Sequence, residues 1–278
     1  MTDAIRRAAV AERAARAGGV VARDRFRTDI PAETKANRND LVTEADREAQ
    51  EQVISTVREE FPADALVCEE DAVPPGQGDV EIHKSVPESG AAWVVDPIDG
   101  TGNYVRGVRF WTTSVAAVVD GDPVGVATYL HAENDIYTAG PESVTRNGSP
   151  IAVSDRSDPG TFAVALIGWW PARQGDRSGS LFRAAAGEFG DLRRLGSIQG
   201  VLALVAAGAL EAAFMPERPH PWDAIAGVDL VRRAGGTATD VHGERWQHDS
   251  EGLVVSNGEG HDVVLASVRE GLTESPVE

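Results

Sequence analysis

The segment from Trp93 to Thr101 constrains the fold of this chain more than any other stretch of its sequence. It opens with the apolar run Trp-Val-Val and continues as Asp96-Pro97-Ile98-Asp99-Gly100-Thr101. The β-branched run predicts a buried strand, and the proline and the glycine predict that the chain turns where the strand ends. Both carboxylates would then lie at a strand terminus, where α/β folds usually place their functional groups.

Two carboxylates held this close together need a compensating cation or proton. At ~5 Å and an effective dielectric of ~20, their repulsion is roughly 3 kcal/mol, a large part of a typical folding stability of ~5–15 kcal/mol. The protein can protonate one acid, or it can use both to hold a hard metal ion such as Mg²⁺. The alternative is a turn in which Asp96 and Asp99 only cap the next helix.

Three further segments place acidic residues at the ends of predicted elements. They are Asn39–Asp46 at a helix start, Cys68–Asp71 after a short apolar run, and Pro221–Gly227 at another helix start. Taken singly, each has a structural explanation. Thr43 and Asp46 fit a variant of the capping box, residues 69–71 fit a solvated loop, and Asp223 suits the first turn of a helix.

Taken in order, these motifs resemble those of the inositol monophosphatase family, which also includes fructose-1,6-bisphosphatases and 3′-phosphonucleotide phosphatases. They are Asp-x-x-Thr-x-x-Asp, Glu-Glu, Asp-Pro-Ile-Asp-Gly-Thr and Trp-Asp-x-x-x-Gly. The resemblance implies an α/β (α+β) fold, a layered α-β-α-β-α sandwich of the sugar phosphatase type, usually a homodimer. One domain would cover residues 1–278, with an antiparallel-rich N-terminal subdomain at about 1–153. A smaller α/β subdomain at 154–278 would carry Asp223 and the substrate contacts.

The resemblance also implies a metal centre with two or three Mg²⁺ ions, at which Mn²⁺ can substitute and Li⁺ inhibits. The implied ligands are Glu69, Asp96 and the Ile98 carbonyl for one ion, Asp96, Asp99 and Asp223 for the second, and Glu69 with Glu70 for a third, weaker ion. The implied catalytic residues are Asp40, Thr101 and Glu69, with Asp40 and Thr101 orienting a metal-activated water. The backbone N–H groups of Gly100 and Thr101 would bind phosphate, and a Cβ at residue 100 would block that approach.

Phosphate monoester hydrolysis is consistent with this chemistry, because proteins accelerate it mainly by positioning and charge neutralisation. A different phosphatase class, the haloacid dehalogenase type, uses an aspartate nucleophile in an Asp-x-Asp-Gly-Thr loop. Here the acids are three residues apart, and residues at that spacing in an extended chain point to opposite faces. We therefore expect direct attack by water and no phosphoenzyme.

The sequence is less informative about the substrate. In the family, a Gly-Thr-Ala-Ala segment and an acid before the Trp-Asp motif contact the alcohol. The matching segment here is Gly196-Ser197-Ile198-Gln199, which departs in its second half, and the nearest acid is Glu217. Arginines that could meet a second phosphate, or simply lie on the surface, are Arg173, Arg177, Arg193 and Arg194. Trp169 and Trp170 could line the pocket mouth or pack at a dimer interface.

Composition narrows the class of protein and suggests its environment. The 278 residues carry a formal charge of -18, which disfavours a nucleic-acid partner. No 18-residue apolar span and no leader pattern is present, so we expect a cytoplasmic protein with no membrane partner. Cys68 is the only cysteine, and it suits a buried core position better than a nucleophile. Lys35 and Lys84 are the only lysines, and an acidic, lysine-poor surface is typical of a salt-adapted protein from a halophilic archaeon.

Periodicity predicts the remaining elements. Turn pairs at 120–121 and 147–148 predict β-hairpins between Thr112 and Val153. The segment from Asp71 to Ala91 is a predicted long loop, either a mobile flap over the metals or plain disorder. The other predicted elements are helices Ala4–Phe26, Thr43–Phe61, Gly175–Phe189, Ser197–Gly208, Trp222–Ala234 and Asp262–Gly271, and a strand at Phe162–Ile167.

Two classes of function follow from these observations. The first is a Mg²⁺-dependent phosphatase of a small phosphorylated metabolite, with inositol monophosphate and fructose 1,6-bisphosphate as leading substrates. The second is a metal-binding regulatory protein that kept the fold and lost turnover. Joint retention of the ligands and the water-activating pair favours the enzyme, because a binding protein has no use for that pair.

Overall fold

The computed structural model describes residues 2–28, 31–34, 41–76, 80–168 and 175–273. They form the predicted mixed α/β fold, with an antiparallel-rich sheet in the N-terminal part and a smaller α/β part after it. The chain divides into two compact units, of which the first comprises Met1–Pro150, Gly196–Gly200 and Pro221–Leu230. The subdomain boundary predicted near residue 153 lies close to Pro150, where the first segment of this unit ends. Asp223, which is predicted to lie in the C-terminal subdomain, belongs to the first unit.

The first unit is built on an eight-stranded sheet with two long helices against it. Its elements are α1 (Thr2–Arg25), β1 (Ala32–Thr34), β2 (Leu41–Thr43), α2 (Glu44–Arg58), β3 (Ala65–Cys68), β4 (Ile82–His83), β5 (Ala91–Asp99), α3 (Thr101–Val105), β6 (Thr112–Val119), β7 (Asp122–Leu130), β8 (Asp135–Ala139), β9 (Val144–Arg146) and β10 (Ser149–Pro150). The sheet order is β10-β9-β8-β7-β6-β5-β3-β4, and β1 pairs with β2 separately. Pairing is antiparallel from β10 to β5 and parallel among β5, β3 and β4.

Small residues on α1 let it pack closely against α2 and the sheet. An added Cβ at Gly18 would lie 2.5 Å from Val53 Cγ2 and 2.9 Å from the Ala49 carbonyl oxygen. A core of fully buried apolar side chains lies between these helices and the sheet, including Ile54 and Trp93. The alanine-rich pattern of α1 is therefore a consequence of close helix packing.

The two predicted hairpins are confirmed. Asp120 and Gly121 both have positive φ, and they join β6 to β7 through the pair Val119↔Asp122. Asn147 and Gly148 do the same between β9 and β10. Successive positive φ values are the signature of the two-residue turn that matches strand twist.

Two local predictions need correction. The segment from Asp71 to Ala91 is not without regular structure, because β4 lies within it and pairs in parallel with β3; residues 77–79 are outside the described residues. The chain also does not turn at Pro97. Strand β5 continues to Asp99, and the turn comes at Gly100.

The second unit comprises Ile151–Leu195, Val201–His220 and Val231–Glu278 and is built on a five-stranded mixed sheet. Its elements are β11 (Ala163–Leu166), α4 (Gly175–Glu188), β12 (Asp191–Arg193), β13 (Ala212–Met215), β14 (Thr237–Thr239), β15 (Leu253–Ser256) and α7 (His261–Thr273), in sheet order β12-β11-β13-β15-β14. Helices α5 (Ile198–Ala206) and α6 (Pro221–Arg233) begin in the first unit and end in the second. All the predicted helices are present. Within the described ranges, no helix has both the length and the apolar character needed to cross a membrane.

Candidate metal centre

A bulge in β5 turns two acids toward the same side, which corrects the expectation that acids three residues apart point to opposite faces of the strand. Asp96 pairs with Ser114 of β6, while Asp99 pairs with Thr112, so three steps along β5 match two along β6. In a regular strand Asp96 and Asp99 would point to opposite faces, and one extra residue restores a common direction. Pro97 suits this position because it has no N–H to contribute to the ladder, and its carbonyl accepts a 2.6 Å hydrogen bond from the Thr113 hydroxyl.

Asp223, in the first turn of α6, completes a group of three acids. One carboxylate oxygen from each of Asp96, Asp99 and Asp223 lies within 4.8 Å of the others. All three side chains are buried, with Asp96 only 1 % exposed. The structure thus assembles the three residues that the resemblance assigns to the second ion.

The electrostatics of this group fit a divalent cation. Burial raises the pKa of Asp96 well above its ordinary value, and the charges of Glu69, Asp99 and Asp223 raise it further. Asp96 Oδ1 is buried and has no hydrogen-bond partner among the described residues. A buried oxygen without a partner is costly, and a hard cation among three carboxylates would satisfy it and offset the repulsion. The donor set, all oxygen and mostly anionic, suits Mg²⁺ or Mn²⁺.

The N-terminus of α5 holds Asp99 in place. Its carboxylate accepts hydrogen bonds from the Ser197 hydroxyl at 2.5 Å and from the backbone N–H groups of Ile198 and Gln199 at 3.0 and 2.7 Å. Burial raises the pKa of Asp99, and these donors oppose that shift. Ser197 also caps α5, since its hydroxyl accepts from the Gly200 N–H at 3.1 Å. Its hydroxyl is therefore used within the protein, although the resemblance makes it a substrate contact.

The Thr101 hydroxyl is paired with Asp46, an acid that the sequence analysis explains only as a helix cap. The Thr101 hydroxyl lies 3.1 Å from Asp46 Oδ1 and 3.1 Å from the Ile98 carbonyl, and its single proton can serve one acceptor at a time. Asp46 Oδ2 accepts from the Thr43 N–H and hydroxyl at 2.7 and 2.6 Å, which confirms the capping box. Burial raises the pKa of Asp46 to about 7, helped by the charges of Glu69 and Glu70.

Sequence reasoning missed the second role of Asp46 because capping explained that residue sufficiently. The Asp-x-x-Thr-x-x-Asp motif contains both acids, so the signal was present. Asp40 lies outside the described residues, and its predicted role stays a prediction.

Two polar side chains fix the backbone that carries Glu69 and Glu70. The fully buried Gln50 of α2 accepts from the Glu70 N–H and donates to the Glu70 carbonyl, at 2.9 and 2.8 Å. Lys84 Nζ donates to the carbonyls of Cys68 and Glu69 at 3.0 and 2.8 Å. Gln50 could have been found from the sequence, because it is a polar residue on the otherwise apolar, buried face of α2. No sequence feature indicates that Lys84 binds these carbonyls.

Gly100 is required by the protein itself. Its φ is 97°, and an added Cβ would lie 2.9 Å from the Gly196 carbonyl oxygen and 3.2 Å from Ser197 Cβ. The expected reason was space for a phosphate, whereas the described structure supplies two others: left-handed backbone and close approach to residues 196–197.

The remaining predicted substrate residues belong to the second unit. Glu217 lies 3.8 Å from Arg177, its Oε2 is buried with no hydrogen-bond partner in the described part of the chain, and burial raises its pKa. Arg194 is exposed, and its guanidinium lies 3.5 Å from the Gly168 carbonyl. Arg193 pairs with Asp191. The other predicted residues, Arg173, Trp169 and Trp170, fall outside the described residues.

Comparisons with known proteins show the family to which the chain belongs. A model described as the inositol monophosphatase family matches residues 4–273. The chain is similar to the fructose-1,6-bisphosphatase/inositol-1-monophosphatase of Thermotoga maritima, with 31% identity over 87% of this chain and 88% of the relative. It is also similar to the Nus factor SuhB of Escherichia coli, with 29% identity over 96% of this chain and 97% of the relative.

Solved structures show the same fold. The Thermotoga maritima IMPase superposes with a TM-score of 0.82 at 28% identity, over 94% of this chain and 96% of that structure. The extragenic suppressor protein suhB of Bartonella henselae also gives a TM-score of 0.82, over 93% of this chain and 96% of that structure; at 24% identity it shows likeness of fold alone.

Proposed function

Because the chain belongs to the inositol monophosphatase family, we propose that it is a Mg²⁺-dependent phosphatase that hydrolyses monoesters of small sugars or polyols. The observation that carries this proposal is the group formed by Asp96, Asp99 and Asp223, buried and within 4.8 Å of one another. Such a group needs a cation or a bound proton to offset its repulsion, and phosphoryl transfer is a chemistry in which divalent cations are especially effective.

In this proposal the acids of the first unit hold the ions. The ligands are Glu69, Asp96 and the Ile98 carbonyl for one ion, Asp96, Asp99 and Asp223 for the second, and Glu69 with Glu70 for a third. When bound, the cations neutralise the charge of the phosphate and lower the pKa of water. Mn²⁺ would substitute, and Li⁺ would compete at the second site.

Thr101 and Asp46 act on the attacking water. Thr101 donates its own proton to Asp46, so the lone pairs of Thr101 Oγ1 are free to accept a proton from water. The hydrogen bond from water to Thr101 Oγ1 orients the water, and no movement of the backbone is needed. The charged form of Asp46 then accepts the proton that the water gives up through Thr101.

The phosphate would be met by the backbone N–H groups of Gly100 and Thr101. Helix α3 has only five residues, so individual N–H donors matter more here than a helix dipole. Water then attacks phosphorus directly while the P–O bond to the alcohol breaks, and the leaving alkoxide takes up a proton from solvent water. We expect no covalent phosphate on Asp96 or Asp99 when a labelled substrate is rapidly quenched.

The substrate is proposed from the names of the relatives. Inositol monophosphate and fructose 1,6-bisphosphate are the leading candidates, because a relative with 31% identity is named for both activities. A 3′-phosphonucleotide is the remaining alternative from the same family. A panel of these esters, scored by kcat/KM with Mg²⁺ at high salt, separates the three.

A regulatory role is the second candidate. It is favoured by the relatives named Nus factor SuhB, which match 96% of this chain. Hydrolysis of p-nitrophenyl phosphate with and without Mg²⁺ discriminates the two, since a protein that had lost turnover would give no metal-dependent rate.

The phosphatase proposal also includes a cytoplasmic homodimer with no nucleic-acid or membrane partner.

Asp96→Asn tests the metal centre directly. The change removes the charge shared by both ions, so we expect loss of Mg²⁺ uptake by calorimetry and a fall in kcat of at least ~100-fold. The metal-free variant should be no less stable than the metal-free wild type, because a buried repulsion is removed. Retention of more than a tenth of the wild-type rate would refute the shared ligand.

A further inference from the structure

Gln199 connects two of the acids of the candidate metal centre. Its backbone N–H donates to Asp99 Oδ2 at 2.7 Å, in the first turn of α5. Its side-chain amide reaches the other way, to the first turns of α6: Nε2 donates to the Trp222 carbonyl at 2.6 Å, and Oε1 accepts from the Gly227 N–H at 2.7 Å. Asp223 directly follows Trp222, so one residue links the supports of Asp99 and Asp223.

Both polar atoms of the Gln199 side-chain amide form hydrogen bonds within the protein, and the side chain is fully buried. Its relative exposure is 0 %, and the donor and acceptor patterns of its partners fix which end is oxygen and which is nitrogen. It therefore cannot contact a substrate, although it occupies the segment in which the sequence departs from the family motif. In a regular helix the Gly227 N–H would donate to the carbonyl of Asp223, one turn earlier. The hydrogen bond from Gly227 to Gln199 is therefore made within the turn of α6 that carries Asp223.

A link of this kind counteracts the repulsion within the centre. At no more than 4.8 Å and an effective dielectric of ~20, two charged carboxylates repel by about 3 kcal/mol or more. Without a cation this repulsion drives the β5 bulge and the start of α6 apart. Gln199 opposes that movement with a neutral side chain, so it adds no charge, and it holds Asp99 and Asp223 at the separation an ion needs.

We propose that Gln199 is a positioning residue that sets the separation of Asp99 and Asp223 and thereby the affinity of the metal ion they share. This inference rests on the proposed function, because it requires that these acids bind a cation. Residues that orient metal ligands typically change metal affinity by ~10–100-fold when they are removed. Gln199 should have an effect of that size on one ion, with little effect on substrate binding.

The test replaces Gln199 with Met, which keeps the side-chain length but removes both hydrogen bonds, and with Ala as a second variant. Gln52→Ala is the matched control, since Gln52 is exposed on α2 and, among the described residues, its hydrogen bonds stay within that helix. Titration calorimetry of Mg²⁺ into chelator-stripped protein should show one ion weakened ~10–100-fold in both Gln199 variants and unchanged in the control. In the stripped Gln199→Met protein, the Gly227 amide should exchange faster than in the wild type.

Kinetics give the second readout. The Mg²⁺ concentration for half-maximal rate should rise by the same factor, while kcat at saturating Mg²⁺ returns to within about threefold and KM for substrate stays within about twofold. Unchanged Mg²⁺ affinity with a lower Tm would reduce Gln199 to a structural link and overturn the inference. A raised KM with unchanged Mg²⁺ affinity would show that Gln199 acts on substrate binding instead and would also overturn the inference. If the wild type itself takes up no Mg²⁺, the proposed function falls, and this inference falls with it.

Discussion

At the scale of single residues, the proposed function assigns binding of the ions and activation of the water to different side chains. The ligand acids are repelled by one another and need a cation, whereas Asp46 is stabilised by two hydrogen bonds from Thr43. Thr101 connects the two parts, because its hydroxyl lies at equal distance from Asp46 and from the Ile98 carbonyl. Removing that hydroxyl should therefore affect the chemical step more than metal binding.

We predict that Thr101→Val lowers kcat by ~100-fold or more and leaves Mg²⁺ uptake within about threefold of the wild type. The substitution keeps the branched shape and removes only the oxygen that accepts the proton from water. Stopped-flow rates at saturating Mg²⁺, together with calorimetry, measure the two effects. Thr101→Ser is the control and should keep most of the activity, while an equal loss in both variants would argue against the hydroxyl's role.

His131 provides a prediction about pH. Burial lowers its pKa from 6.5 to about 3, and the charge of Arg23 lowers it further. The buried ring stacks on Trp111 and lies within hydrogen-bond distance of the Thr113 hydroxyl. Below about pH 6.5 the unfolded chain takes up a proton at this histidine and the folded protein does not. Acid therefore favours unfolding, by up to about 1.4 kcal/mol per pH unit between pH 6.5 and 3.

The measurement is the free energy of unfolding by urea between pH 7 and 5, in the wild type and in His131→Phe. The variant keeps the aromatic stacking but cannot bind the proton, so its stability should fall less steeply with acid. His242→Gln, at an exposed side chain, controls for the loss of any histidine. Parallel slopes in the wild type and His131→Phe would contradict the prediction.

At the scale of elements, the position of α1 depends on two glycines in its interior. Glycine there costs helix stability relative to alanine, and it is retained because neighbours approach too closely for a Cβ. An added Cβ at Gly19 would overlap the His131 ring, and one at Gly18 would meet Val53 and Ala49. The two glycines thus lower the intrinsic helix propensity of α1, but they allow it to pack closely against α2 and against His131, which follows β7.

Gly19→Ala should destabilise the protein by about 1–3 kcal/mol, because the His131 ring must leave its stacked position. Gly187→Ala, near the end of α4, is the matched control, since an added Cβ there meets no atom within 4 Å. That substitution should leave stability unchanged or raise it by up to about 1 kcal/mol. Thermal unfolding of both variants in the same buffer measures the two changes in stability. A Gly19→Ala variant more stable than the wild type would contradict the prediction, because it would show that the His131 ring can move without loss of stability.

At the scale of the whole molecule, the acid surplus is the dominant property. A formal charge of -18 opposes the compact state through self-repulsion, which salt screens. Exposed acids such as Glu59, Glu88, Glu142 and Glu259 lie outside the metal centre and contribute to this charge. Under the proposed function the centre would hold its own cations, so a requirement for Mg²⁺ there would be separate from a requirement of the surface for salt.

We predict that Tm rises by about 5 °C or more between 0.1 and 2 M KCl at constant Mg²⁺, since the Debye length falls from ~10 Å to below ~3 Å. Replacing the four exposed glutamates together with lysine should flatten this dependence without altering kcat. Scanning calorimetry at several salt concentrations tests both statements. Full stability in dilute buffer, with no gain from KCl, would count against a salt-adapted surface.

The sequence alone determined the family, the mixed α/β class, both hairpins, the capping box at Thr43 and the acids that come together. These follow from local rules: periodicity, turn residues and motif order act over a few residues, and the motifs are specific. The tertiary structure alone decided that Asp96 and Asp99 share a side, because a bulge is defined by the register against β6. It likewise decided that Thr101 meets Asp46, and that Gln50, Lys84 and Gln199 hold the acids in place. Such contacts join residues far apart in the chain, and no spacing along one strand or helix can encode them.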